Sequence, residues 1–165
     1  MSTYQQISMI GGQAIDANST EQSHSLGLCV KAVDVASTDY GVGEFIYAKG
    51  LAATVVGSVV RYSEDDYVTK LAVANDAGSI AVAMSACVAS EFGWYQIKGK
   101  GVALVKTGFA DNAACYLTST AGSVDDAVVA GDRVHRMIGG SAIGTPAAGQ
   151  AEVEINYPST DNIAD

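Results

Sequence analysis

Residues 151–157 read Ala-Glu-Val-Glu-Ile-Asn-Tyr, an alternation that puts Val153 and Ile155 on one face and Glu152, Glu154 and Asn156 on the other. A period of two marks a strand with one face in a core and the other in water. The same pattern recurs outward from this stretch. Residues 43–50 set Phe45, Tyr47 and Lys49 against Glu44, Ile46 and Ala48, and Leu26, Leu28 and Val30 alternate with Gly27, Cys29 and Lys31. Residues 55–62 form a β-like run broken by Gly57, and residues 133–138 form another. Ser63-Glu64-Asp65-Asp66 turns the chain into 68–73, and Asn75-Asp76-Ala77-Gly78 turns it into 80–86, a pair that reads as a hairpin. Residues 93–98 and 102–106, on either side of Gly99-Lys100-Gly101, read as a second hairpin. Residues 111–117 and 123–129, the latter with Asp125 and Asp126 near its start, are candidates for single helical turns. Short runs separated by turn chemistry at about ten-residue spacing predict a mainly β fold, a single antiparallel β-sandwich or β-barrel domain.

The chain has 165 residues and a mass of 16.9 kDa, the size of one domain. Its apolar content is mostly small or β-branched: 26 Ala, 19 Val and 18 Gly against one Trp and three Phe. This composition favours strands and predicts a thin core that draws stability from neighbouring subunits. Residues 1–25 mix Gln, Ser, Thr, Asn and Gly with Tyr4, Ile7, Met9, Ile10 and Ile15, and read as an extended N-terminal arm whose apolar side chains seek pockets. Residues 26–158 form the expected β domain, and 159–165 a polar C-terminal tail.

Acidic residues outnumber basic ones 18 to 9, for a net charge of -9, so no basic surface is available to neutralise phosphates and nucleic-acid partners are excluded. The longest apolar uncharged stretch, 77–90, is too short to span a bilayer, so no membrane partner is expected. The first basic residue is Lys31, and synthesis in the cytoplasm without a signal peptide is expected. Cys29, Cys87 and Cys115 show no paired spacing and read as small buried thiols, without disulfide or zinc.

Residue types that carry catalysis do not assemble in the sequence. His24 lies in a polar run and His135 in a strand-like one, both reading as solvated or edge imidazoles. Glu64-Asp65-Asp66 and Asp125-Asp126 lack the register of a calcium loop, and the glycine pairs lack the Lys-Ser/Thr ending of a phosphate loop. No enzyme activity, metal or cofactor is expected. A weak echo links 53–61 with 127–134 through a shared V-x-G-[SD]-x-V core, which suits two tight approaches to a strand where Gly supplies an unusual φ.

Four stretches in order carry a family resemblance: GEFIYAKG at 43–50, GWYQIKGKGVALVKTGFADNAACY at 93–116, AGSVDDAVVAGDRV at 121–134 and SAIGTPAAGQAEVEINYP at 141–158. Together they resemble the small capsid cement, or decoration, proteins of tailed bacteriophages. The resemblance implies a mainly β structural protein on the outer surface of the virion, commonly trimeric at threefold or quasi-threefold positions. Its implied partners are the major capsid protein and its own copies. On that implication Tyr4, Ile7, Met9, Ile10 and Ile15 are the expected capsid or neighbour contacts, and Trp94 and Tyr95 are expected to pack near a subunit interface. The alternative is a host- or carbohydrate-binding module displayed on the head, which needs an exposed aromatic groove.

Overall fold

A computed structural model describes residues 3–6, 12–51 and 53–163. Among them the regular structure is all strand: β1 (Tyr4–Gln6), β2 (Asn18–Ser19), β3 (Cys29–Asp34), β4 (Val42–Gly50), β5 (Val59–Tyr62), β6 (Val68–Leu71), β7 (Gly78–Ala83), β8 (Phe92–Leu104), β9 (Ala114–Leu117), β10 (Val124–Asp125), β11 (Arg133–Gly139) and β12 (Gln150–Thr160). The mainly β expectation holds, and the barrel form is visible in the pairing. β4 pairs with β6, β6 with β5, β5 with β7, β7 with β8, and β8 returns to β4, closing a five-stranded circuit in which only β4–β6 is parallel.

Alternation along these strands sends side chains to three separate cores. Ile46, Ala48, Val60, Tyr62, Ala81, Ala83, Tyr95 and Ile97 fill the inside of the circuit. The opposite faces of β5 and β7, through Val59, Ile80 and Val82, pack against Cys115, Leu117, Val134, Met137, Val153 and Ile155 of the β9–β12 layer. The outer face of β4 and β8, through Phe45, Tyr47 and Trp94, is covered by Tyr4, Ile15, Val30 and Ala32. A composition poor in large side chains thus builds several thin layers in place of one thick core, with the aromatics gathered mainly in the second and third clusters and Phe109 alone in the first.

Several local readings change in three dimensions. Residues 92–104 are one strand, whose first half pairs with β4 and whose second half pairs with β12. Gly99 (φ +108) and Gly101 are therefore the corner of a continuous strand, where a Cβ at Gly101 would come within 2.3 Å of Gln96 Oε1. β6 and β7 do not form a hairpin with each other, because β5 lies between them and pairs with both. β5 begins only at Val59, which leaves Val55 and Val56 in the preceding loop. The expected helical turns contain strands β9 and β10 instead, since Cys115, Leu117 and Val124 are drawn into the core beneath them. The echo has its local explanation: Gly57 (φ +88) and Gly131 (φ +83) each lie two residues before a strand, β5 and β11. Of the three thiols, Cys87 and Cys115 are buried while Cys29 is exposed on the outward parity of β3.

Candidate interaction surface

Of the residues expected to reach outward, Ile7, Met9 and Ile10 lie outside the described residues. Tyr4 packs edge-on against Phe45 with centroids 4.7 Å apart, donates its hydroxyl to Lys100 O, and is buried in its own domain, as is Ile15. The described residues on either side of Ile7, Met9 and Ile10 are tied down. β1 pairs with β3 and β2 with β8, Trp94 Nε1 donates to Gln13 O (3.0 Å), and Tyr47 Oη donates to Gln13 Oε1 (2.9 Å). Trp94 and Tyr95 themselves sit on opposite faces of β8, both in the interior. Burial pushes the Tyr95 phenol up, despite its contact with Thr69 Oγ1 (3.1 Å).

The histidines and acid pairs serve as local braces. His24 Nε2 accepts from Gln13 N (3.1 Å), and its ring lies 5.1 Å from Tyr47 and 5.3 Å from Trp94, so it is a half-buried peg and not a solvated imidazole. His135 Nε2 lies 3.5 Å from Asp161 Oδ2. Asp126 accepts from Ala110 N (3.0 Å), and Asp125 accepts from Asp126 N (2.9 Å). Burial pushes the Cys115 thiol up to about 12 and raises Cys87, while burial and then Glu44 raise Cys29. None of the three is therefore biased toward the reactive thiolate at neutral pH. Among the described residues no group of three or more His, Cys, Asp or Glu is placed to hold a metal ion.

What the fold does present is an apolar ledge. The loop from Leu51 to Ser58 and the loop from Met84 to Glu91 are stitched together. Thr54 N and Oγ1 both donate to Cys87 O (3.0 and 2.8 Å), Gly57 N to Ala83 O (2.9 Å), Ser90 N to Gly50 O (3.0 Å) and Gly50 N to Glu91 O (2.7 Å). Carboxylate contacts from Glu91 to Asn18 Nδ2 (2.5 Å) and Val88 N (3.0 Å) add a further brace. On these fixed loops Leu51 is 57% exposed, Val55 54%, Val88 44% and Val56 38%. Sequence reasoning missed Val55 and Val56 because 55–62 reads as one strand, which would have turned alternate valines inward.

Beside Val56 and Met84 a cavity of about 340 Å³ opens under Pro146 and Ala147, with Tyr4, Tyr40 and Gln96 on its other walls. Gln96 is fully buried: Nε2 donates to Lys98 O (3.2 Å) and Lys100 O (3.1 Å), and Oε1 has no hydrogen-bond partner among the described residues. Tyr40 lies near Glu152, and burial followed by that carboxylate pushes its phenol up to about 12. No known protein-family model matches the chain, and no curated protein is significantly similar to it.

Proposed function

We propose that this chain is a capsid cement protein that binds the outer surface of a mature tailed-phage head and clamps neighbouring copies of the major capsid protein. The observation that carries this reading is the ledge of Leu51, Val55, Val56 and Val88: exposed aliphatic side chains on loops held rigid by backbone hydrogen bonds. An apolar patch kept in place without covering side chains marks a protein-docking surface. The ordered resemblance of residues 43–158 to decoration proteins supplies the identity of the partner.

A homotrimer on the shell would hold three such ledges. Once one ledge is seated, the others bind as intramolecular steps, so modest contacts give avidity of order 10² to 10⁴ above a single site. Affinity confined to the expanded lattice stabilises that lattice by mass action against internal DNA pressure. A net charge of -9 suits a face turned to solvent and away from packaged DNA. Tyr4 and Ile15 are buried inside the domain, so this proposal places a shell contact on the ledge and none on those two residues. The carbohydrate-binding alternative is less supported, because Trp94 is fully buried.

The test is quantitative protein composition of purified DNA-filled heads from the phage that encodes this chain, before and after mild heat strips loosely bound subunits. The expected result is a copy number comparable to that of the shell subunit, with DNA leakage once the chain is lost. Its absence from intact heads would sink the proposal.

A further inference from the structure

Tyr62 of β5, Ser79 of β7, Ser159 of β12 and His135 of β11 are successive register partners, one cross-strand row four strands wide. At about 4.8 Å between strands, its two ends lie roughly 14 Å apart. Just beyond the β5 end come Glu64, Asp65 and Asp66, three exposed carboxylates in succession, with Glu64 Oε1 accepting from Ser79 Oγ (3.4 Å). Just beyond the β11 end comes Arg136.

The backbone at the Arg136 end is unusual. Between His135 and Met137 on β11 the partner strand advances from Ser159 to Ile155, so β12 carries extra residues there. Arg136 (φ 62) and Tyr157 (φ 53) both occupy the left-handed region without being glycine. Such a conformation is unfavourable for side chains of this size and persists where surrounding structure enforces it, commonly at functional surfaces. Arg136 is exposed and, among the described residues, its side chain forms neither an ion pair nor a hydrogen bond. It lines an open groove of about 600 Å³ with Lys98, Lys100, Ile138, Glu154 and Asn156. Lys98 and Lys100 already lie 3.5 Å from Glu44 and 2.9 Å from Glu152, which leaves the guanidinium as the unpaired cation of the groove. Ile138 (49% exposed) and Tyr157 (46%) stand beside it, so this face combines the arginine, tyrosine and aliphatic groups that dominate protein interfaces. A sugar is a poorer fit. The Tyr157 ring is overlain by Lys98 Nζ (5.7 Å), and its hydroxyl is engaged by Glu44.

We propose that this face is where two copies of the chain meet, with the Glu64–Asp65–Asp66 turn of each copy seated against Arg136 of the other. A two-fold interface needs both halves of a complementary contact on one patch, so that each is used twice. The row from Tyr62 to His135 provides that: three carboxylates lie beyond its β5 end and Arg136 lies at its β11 end, where Asp161 beside His135 and Glu154 in the groove are the acidic neighbours. The contact rests on neither capsid binding nor threefold association, and it is tested on the purified chain alone.

The experiment is sedimentation velocity on the full chain at several concentrations, on Arg136→Asp, on Glu64→Lys/Asp65→Lys, and on their equimolar mixture. Aspartate tolerates the left-handed backbone at 136, and Asp66, whose carboxylate caps Val68 N (3.0 Å), is left in place. The wild type is expected to associate, each variant alone to weaken that association at least tenfold and halve the mass of the associated species, and the mixture to restore it. Restoration also shows that both variants are folded. A wild type that never associates, variants that associate as the wild type does, or a mixture that fails to recover overturns the inference.

Discussion

Trp94 and Leu51 differ widely in exposure, 0% against 57%, although both belong to segments fixed by hydrogen bonds. Around Trp94 the polar groups serve the burial: the Gln13 carbonyl and amide take the indole N–H and the Tyr47 hydroxyl, so an aromatic cluster closes with these donors satisfied. Around Leu51 backbone bonds between the two loops do the positioning, and the side chains of Leu51, Val55 and Val88 are left over. In one region apolar surface holds the fold together. In the other the fold holds apolar surface out to solvent. The two regions should therefore answer substitution in opposite ways.

The largest expected effect is at the buried end. Trp94→Ala removes the biggest side chain of its cluster and one of the two donors to Gln13 O, leaving Gln6 Nε2, and should cost about 3–5 kcal/mol in urea unfolding. Ile15→Ala should cost about 2–4 kcal/mol, since Ile15 is fully buried in the same cluster. A loss under about 0.5 kcal/mol at Ile15 would show that the N-terminal segment detaches from the domain, and would return it to the role of a free arm. Gly101→Ala places a methyl 2.3 Å from Gln96 Oε1, so either the strand corner or the buried amide must move; the expected loss is about 1–3 kcal/mol.

That glycine also shows where the sequence was legible. The alternation at 151–157 translated directly into β12, because period-two burial is a local property of the chain, while the run at 43–50 became β4, which is buried on both faces. Gly99-Lys100-Gly101 did not, because glycine supports a turn and a strand corner equally well. What decides between them is the Gln96 side chain packed against Gly101 from within the same strand. The polar segment 12–25 resembled an arm for a similar reason: Gln13 and His24 look like solvent-facing residues until Trp94 and Tyr47 are brought to them from far along the chain. The ledge had no sequence signal at all. Leu51, Val55 and Val88 match the buried residues around them in type, and only the loop pairing leaves them uncovered. The acid turn at 64–66 was visible as composition, but its alignment with Arg136 exists only in the register of four strands.

At the exposed end, Leu51→Ser with Val88→Ser should change unfolding free energy by no more than about 0.5 kcal/mol per site, because little burial is lost. The same pair should abolish rebinding of the chain to stripped heads. Full rebinding would break the contrast between the regions by showing that the ledge has no partner on the shell.

The smallest effect sharpens the contrast with a polar group in place of an apolar one. The Tyr157 hydroxyl donates to Glu44, and this bond, followed in the same direction by Lys98 and Lys31, holds the Glu44 carboxyl below its ordinary value against the opposing effect of burial. The same bond, with lesser help from burial, pushes the Tyr157 phenol up to about 12. A lowered carboxyl pKa stabilises the fold above the unfolded value, and that contribution is lost as pH falls through the folded one. A raised phenol pKa stabilises below its unfolded value near 10 and is lost as pH rises through about 12. The pair thus contributes fully between the ordinary carboxylate range and about pH 10. Tyr157→Phe should destabilise the chain by less than about 1 kcal/mol across that window, since the site is half exposed and screened by water. The difference from the wild type should shrink in urea titrations taken down to pH 3, as Glu44 protonates. A difference that stays constant from pH 7 to pH 3 would mean that Tyr157 acts by packing its ring under Lys98 and not through the charge on Glu44.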